Sequence, residues 1–258
     1  MAQNNDILIK ADEQIDDLQL NGKKIIQKKS GFCFGIDAVL LANFVKYKKN
    51  STIADLGTGT GIIPILINEK SEINKIYALE IQTPIAQMAQ RSMELNNIQD
   101  KVKVLNVDLK QATNYIEKQS LDIVVTNPPY MQKDKLTSDN EMQKISRNEI
   151  YCTIDDVMKT ASELLKYGGK LFMIHRPTRL CDIFVAGRKY LLEPKELKMV
   201  YPKVGKPSNL VLISFTKNAK SELRMLEPLF IHKEDGSYTK EVENIYSLKT
   251  LELDKDTL

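Results

Sequence analysis

The sequence is poor in the residues that build metal centres and disulfide frameworks. Its 258 residues hold three cysteines and two histidines. Cys33, Cys152 and Cys181 are odd in number and far apart. That spacing fits neither a set of bridges nor a zinc site. His175 and His232 are too few for a histidine-based metal site, so no metal is expected. Free thiols suit a reducing compartment. No apolar run is long enough to span a bilayer, and the opening "MAQNNDILIK" carries no signal-peptide pattern. The expectation is a cytoplasmic chain without a membrane partner. Repeats and low-complexity linkers are lacking as well. The net charge is only +3, so total charge selects no partner. Local basic clusters do exist: Lys23, Lys24, Lys28 and Lys29; Lys46, Lys48 and Lys49; Lys133, Lys135, Lys144 and Arg147; Arg176, Arg179, Arg188 and Lys189. Taken singly, each reads as a solvated face.

What is present is alternation. An apolar content of 42% lets a chain of this length bury a full core. Short apolar runs at 51–56 (STIADL), 76–80 (IYALE), 102–107 (VKVLNV), 121–126 (LDIVVT) and 170–175 (KLFMIH) read as strands. Helical patterns lie between them. Ile85, Met88, Ala89, Ser92 and Leu95 share one face. Ile154, Val157, Met158, Ala161, Leu164 and Leu165 share another, in a helix expected to stop at Gly168-Gly169. Strands alternating with helices predict a parallel sheet covered on both faces. The pattern then changes. A helix opens at Pro177. "ELKMVYP" and "NLVLISFT" follow as strands, joined by "KVGKPS", a loop too short for a crossover helix. That pair is expected to be an antiparallel hairpin. Residues 1–216 thus read as one domain. The more polar 217–258, with a turn at "EDGS", reads as an appendix packed on it, and 251–258 is a candidate for disorder.

The first strand ends in "DLGTGTG", which opens the helical run "IIPILINEK". Gly57, Gly59 and Gly61 allow a sharp turn and close approach of a ligand. One reading is a dinucleotide site, with pyrophosphate on the helix N-terminus and Glu80 on the ribose. The other is S-adenosylmethionine, a cationic ligand with a ribose and an adenine. The second is favoured. Asp55 precedes the glycines, where it would repel pyrophosphate but attract a cation. The spacing G-x-G-x-G also departs from G-x-G-x-x-G. Glu80 with Ile81, and Asp108 with Leu109, end the next two strands and join the candidate cofactor residues, as does Asn127 at the end of the strand after them. Read otherwise, these acids are caps and turn formers.

The fourth strand ends in "NPPY", residues 127–130. Ligands of open parallel sheets bind at the carboxyl ends of strands. A nitrogen conjugated to a ring or a carbonyl is a poor nucleophile, because its lone pair is delocalised. Two acceptors on its two N–H groups would localise that pair. The Asn127 side chain and the Pro128 carbonyl can be those acceptors. Pro128 and Pro129 stiffen the turn, and Tyr130 can stack on the planar group.

Together, "DLGTGTG" and "NPPY" resemble the class I S-adenosylmethionine-dependent amino methyltransferases. Across about residues 15–245 the chain most resembles the bacterial subgroup that methylates N6 of an adenine in valine tRNA, 3′ of the anticodon. "GFCFGIDAVLLANF", "SRNEI" and "YPKVGKPSNLVLI" carry that likeness. The resemblance implies a Rossmann-like fold. Its mostly parallel sheet would have seven strands, with helices on both faces and an antiparallel last strand. It also implies that Phe34 and Asp37 line the methionine end of the cofactor. tRNA is the implied partner, with Lys133, Arg147, Arg176, Lys203 and Lys206 as candidate phosphate contacts and His175 and Arg179 nearby. Three alternatives stay open: glutamine methylation of a protein such as a release factor, a non-catalytic RNA-binding module, and a nicotinamide-dependent oxidoreductase. Oligomeric state is not legible.

Overall fold

Neighbouring residues of the central strands point to opposite faces, and both faces are apolar. Ile53 packs in one buried cluster and Ala54 in the other; Ile123 and Val125 oppose Val124 in the same way. Such strands need cover on both sides. The computed structural model describes residues 9–29, 35–128 and 152–246, and it provides that cover.

The chain opens with a hairpin, β1 (Glu13–Asp17) and β2 (Lys24–Lys28), followed by α1 (Ile36–Phe44). Then β3 (Thr52–Leu56), α2 (Ile62–Lys70), β4 (Lys75–Glu80), α3 (Thr83–Leu95) and β5 (Val102–Asn106) alternate. A 3-10 turn at Leu109–Asn114 leads to β6 (Leu121–Thr126). Beyond it come α4 (Ile154–Leu164), β7 (Leu165–His175), α5 (Leu180–Lys189), β8 (Leu192–Lys203) and β9 (Leu210–Lys217). Two short strands, β10 (Arg224–Met225) and β11 (Leu229–His232), precede α6 (Lys240–Tyr246). Among these described helices none is long and apolar enough to cross a membrane.

The main sheet runs β5-β4-β3-β6-β7-β9-β8. β9 is antiparallel to both neighbours, and the other pairs are parallel. The hairpin expected at the end of the chain's sheet is therefore β8–β9. On one face α1, α2 and α6 build a core with Ile53, Ile76, Phe172 and Val200. There Phe44 meets Phe172 edge-to-face at 5.8 Å, a favourable aromatic geometry. On the other face α4 and α5 pack Val157, Met158, Leu164 and Ile183 against Leu56, Val124 and Phe215. A capping box starts α4: Thr153 Oγ1 accepts from the Asp156 N–H at 3.1 Å, and Asp156 Oδ2 accepts from the Thr153 N–H at 2.9 Å.

Two expectations need correction, and one element was not anticipated. The main sheet has nine strands rather than seven, because β10 and β11 both add to β8 in parallel. Residues 224–232 thus extend the sheet edge, which shields the outer side of β8. The helix before β7 ends at Leu164 rather than at the glycine pair. Gly168-Gly169 instead sit in a bulge of β7, where pairing with β6 jumps from Leu121↔Leu165 to Ile123↔Lys170. Gly168 has φ +73°, a conformation that suits glycine at a bulge. Finally, the β1–β2 hairpin had no anticipated counterpart. It docks on α3 through Glu13 and Arg91, with Arg91 Nη2 donating to Glu13 Oε1 at 2.7 Å. Ser92 Oγ accepts from the Ile26 N–H at 3.0 Å as well.

Candidate active site

All parallel strands present their carboxyl ends on one edge, and the candidate residues gather there. At the tip of β3 the turn folds back on β4: Gly57 and Thr58 both donate their N–H to Leu79 O, at 3.0 and 2.9 Å. Gly57 and Gly59 have φ of +79° and +59°, which glycine adopts without steric cost. A Cβ on either would meet nothing within 4 Å, so these two glycines face open space. Gly61 differs. At φ +92° it caps α2, and a Cβ there would collide with Met93 Cε. Its glycine serves packing between α2 and α3.

Asp55 lies beneath this turn, 1% exposed. Neither carboxyl oxygen has a hydrogen-bond partner among the described residues, and the same holds for Thr58 Oγ1. Burial pushes the Asp55 carboxyl up to about 7; the nearby Thr58 hydroxyl offsets part of that, and the charge of Glu80 adds to it. Buried acceptors without partners are rare and point to a missing ligand or water. Glu80 ends β4. Its carboxylate accepts from Gly59 N–H at 3.1 Å and from Gln82 N–H at 2.9 Å. Burial raises its pKa, against the pull of those donors. Two adjacent buried acids beside an open glycine turn form a cradle suited to a ligand with positive charge and hydroxyl donors.

Asp108 is also at this edge, two residues past β5. One oxygen caps the 3-10 turn by accepting from Lys110 N–H at 2.9 Å, and the other pairs with Lys110 Nζ at 3.3 Å. The alternative reading of Asp108 as a cap is thus a structural fact, and its carboxylate is held in place at the edge. Ile81 is 39% exposed, an apolar side chain left at this rim. Leu109, half-buried, packs from the other side. Asn106 was not anticipated. Its amide donates to Glu80 O at 2.8 Å and to Ile81 O at 3.1 Å, fixing the strap after β4. A polar residue at the last strand position is the only sequence signal it left.

The tip of β6 brings in Asn127. Its Nδ2 donates to Asp37 Oδ2 at 3.3 Å, which joins α1 to the strand edge. The Thr126 hydroxyl donates to Leu56 O at 2.9 Å and ties β6 to β3 just below. Pro128 follows Asn127 in the chain. Phe34, Pro129, Tyr130, Lys133 and Arg147 lie outside the described residues. Tyr246 of α6 is a second unanticipated neighbour. Burial pushes its phenol up to about 12, with contributions from Tyr238 and from the Asp37 carboxylate.

The basic candidates separate into two sets. Lys203 and Lys206 sit on the β8–β9 turn, which emerges at this same edge because β8 runs parallel to β7. Arg176 joins them, with Nη1 donating to Asn209 O at 3.1 Å. His175, by contrast, is 5% exposed and accepts from Arg176 N–H at 2.8 Å. Burial lowers its pKa to about 4, helped by the charges of Arg179 and Arg176. Its burial sets it apart from the exposed cations of this edge. Arg179 pairs with Asp182 at 2.7 Å. Lys23, Lys46 and Lys49 are held by Glu69, Glu196 and Glu72. Among the described residues no group of three or more His, Cys, Asp or Glu could hold a metal.

A family profile described as "Methyltransferase small domain" matches residues 34–182, a span from just before α1 into α5. The chain belongs to the methyltransferase small domain family. Several relatives are similar along most of its length. A Bacteroides fragilis protein named tRNA1(Val) (adenine(37)-N6)-methyltransferase is 28% identical over 216 residues, covering 82% of this chain and 90% of that relative. A Photorhabdus laumondii protein of the same name is 28% identical over 214 residues, covering 82% and 85%. Among solved structures, a predicted O-methyltransferase from Agrobacterium tumefaciens superposes with a TM-score of 0.67 at 23% identity. It covers 81% of this chain and 95% of its own. At that identity the likeness speaks for the fold alone. The family membership agrees with the acid-tipped strands, the glycine turn and the order of the sheet.

Proposed function

We propose that this protein transfers the methyl group of S-adenosylmethionine to the exocyclic N6 of an adenine in tRNA. The specific target is the adenine 3′ of the anticodon in valine tRNA. Asn127 carries the proposal: its amide sits at the tip of β6, held by Asp37, on the edge where Asp55 and Glu80 lie at the ends of β3 and β4. The relatives named for this reaction span more than four-fifths of the chain.

S-adenosylmethionine, when bound, supplies a methyl group on a positively charged sulfur. The residues at the cradle fit such a group. Gly57 and Gly59 leave open space, and Asp55 and Thr58 offer buried acceptors that lack partners among the described residues. Glu80 is assigned to the ribose hydroxyls and Asp108 to the adenine amino group, with Ile81 and Leu109 as apolar contacts. Asp37 keeps the nitrogen side of Asn127 engaged, so the amide oxygen serves as acceptor for one N6 hydrogen. The Pro128 carbonyl accepts the other. Two acceptors on one amine draw its lone pair out of the ring and make it nucleophilic. Position and preorganised dipoles supply most of the rate. Tyr130 is assigned to stack on the adenine. Unstacking one base of a single-stranded loop costs little. Lys133, Arg147, Arg176, Lys203 and Lys206 are assigned to phosphates.

The substrate class is tested by incubating the protein with methyl-labelled cofactor, tRNA and a release-factor preparation, then digesting with RNase or protease. The proposal expects label to become acid-soluble with RNase. Label released by protease alone would move the assignment to glutamine methylation of a protein.

A further inference from the structure

The β8–β9 turn and the hairpin after β11 border an open cleft, of which the reading above uses only Lys203 and Lys206. Its volume is about 680 Å³, and Pro202, Lys203, Lys206, Pro207, Asn209 and His232 line it. β11 pairs with β8 so that His232 lies beside Lys203. Counting across the sheet from β6 through β7, β9 and β8 to β11 gives four strand spacings. At about 4.8 Å each, the cleft lies roughly 19 Å from the Asn127 tip, on the same edge.

The imidazole of His232 is fixed in a defined pose. His232 and Tyr238 are opposed across a β-bridge, and their rings stack at 5.1 Å with an 18° interplanar angle. The Nδ1 of His232 lies 3.0 Å from Gly236 O; a carbonyl only accepts, so Nδ1 carries the proton. Tyr238 covers one ring face, and His232 is among the residues that line the cleft. Tyr238 stacks in turn on Tyr246 at 5.6 Å. Tyr246 feels the charge of Asp37, the residue that holds Asn127. A ladder of three stacked rings therefore runs from the cleft back to Tyr246.

Three further features describe what the cleft would take. Two prolines and an imidazole give it flat apolar walls. Asn209 Oδ1 is a buried acceptor without a hydrogen-bond partner among the described residues. Lys203 and Lys206 are exposed at the rim. A planar ligand with an amino hydrogen and a flanking negative charge matches all three.

We infer that this cleft is a second nucleobase site: it takes an unstacked, amino-bearing base of the substrate RNA, a few nucleotides from the methylated adenine. The base stacks on His232 and donates to Asn209, and its flanking phosphates meet Lys203 and Lys206. The inference rests on RNA being the substrate. It explains why the chain continues past β9: residues 229–246 supply the stacking ring and the ladder behind it.

Steady-state methylation of an unmodified tRNA transcript tests this with three proteins: wild type, His232→Ala and His232→Phe. Truncation to alanine is expected to raise KM for tRNA about tenfold, the effect of ~1.4 kcal/mol of base stacking. The kcat should change far less, and cofactor affinity by calorimetry should stay within twofold. The phenylalanine variant keeps a stacking face and should restore KM to within about threefold of wild type. Asn209→Ala should raise KM by a smaller factor. If His232→Ala turns over with wild-type KM, or if phenylalanine is as poor as alanine, the second site is overturned while the proposed function stands. A wild-type protein with no turnover on tRNA overturns the proposed function and the second site with it.

Discussion

The two halves of the sheet edge are built from opposite materials. On the β3–β4 side the polar groups are carboxylates, buried, and set against a glycine turn: Asp55 is 1% and Glu80 6% exposed. On the β8–β11 side the polar groups are lysines, exposed, and set among aromatic rings. Asn127 at β6 stands between them. Buried charge is expensive unless something compensates it, so the acidic half reads as a site shaped for one small cationic ligand. Exposed lysines cost nothing to keep and act at longer range. The basic half is suited to a large polyanion, whose contacts weaken as salt rises. Under the proposed function, one edge would serve two partners of opposite charge from separate halves.

The comparison can be broken in several places. The largest effect is expected at the boundary. Asn127→Ala should lower kcat by about 10²–10³-fold, in the range lost when one preorganised polar group is removed. Cofactor affinity by calorimetry should change little. Loss of cofactor affinity with normal turnover would place Asn127 in the acidic half instead.

Next comes Asp55→Asn, which should weaken cofactor binding by at least about tenfold, as expected when a buried charge partner is lost. Its pH dependence is diagnostic. Burial raises the carboxyl to about 7 in the folded chain, above the ordinary value of 3.8. The folded state then holds a proton that the unfolded state has released. The contribution of Asp55 to the stability of the cofactor-free protein is fully present below about pH 4 and is lost as pH rises toward 7. A cationic ligand favours the carboxylate, so cofactor affinity should rise over the same interval and level off above it. Asp55→Asn should flatten both profiles and raise the melting temperature at pH 8.

Smaller changes are expected in the basic half. Lys203→Ala combined with Lys206→Ala should raise KM for tRNA several-fold and reduce the salt slope of tRNA binding by about one to two contacts. Cofactor affinity should not move. The smallest functional effect belongs to Arg91→Ala, far from both halves. It should cost about 2 kcal/mol of stability by removing charged hydrogen bonds to the buried Glu13, read from denaturant unfolding. The ratio of cofactor to tRNA affinity should stay at the wild-type value.

The acidic half was largely legible in the sequence, and the basic half much less so. Glu80 is the last residue of an apolar run, Gly57 and Asn127 each follow one directly, and Asp55 and Gly59 lie within three residues of such an end. A parallel sheet sends all such positions to one edge, so reading the runs also placed these candidate residues together. Local chemistry sufficed because β3, β4 and β6 follow one rule. The rest depends on tertiary placement. Asp37 reaches Asn127 across 90 positions, and no periodicity announces that contact. β10 and β11 are too short to stand out from loop, yet they lengthen the sheet from seven strands to nine. The β1–β2 hairpin is polar on its outer face and gave no clean alternation. His175 shows how burial overrides composition: it sits in a basic stretch, but its place at the buried end of β7 keeps it neutral.

The central claim is that the Asn127 tip activates an adenine amine brought to it by RNA. Its most direct test is mass mapping of nucleosides from bulk tRNA after reaction with purified wild-type and Asn127→Ala proteins. The account predicts N6-methyladenosine in the wild-type digest, mapped to the anticodon loop of valine tRNA, and none with the variant. Newly formed N6-methyladenosine at wild-type level with Asn127→Ala, or new methyl groups on nucleosides other than adenosine with the wild type, each measured against untreated tRNA, would contradict it.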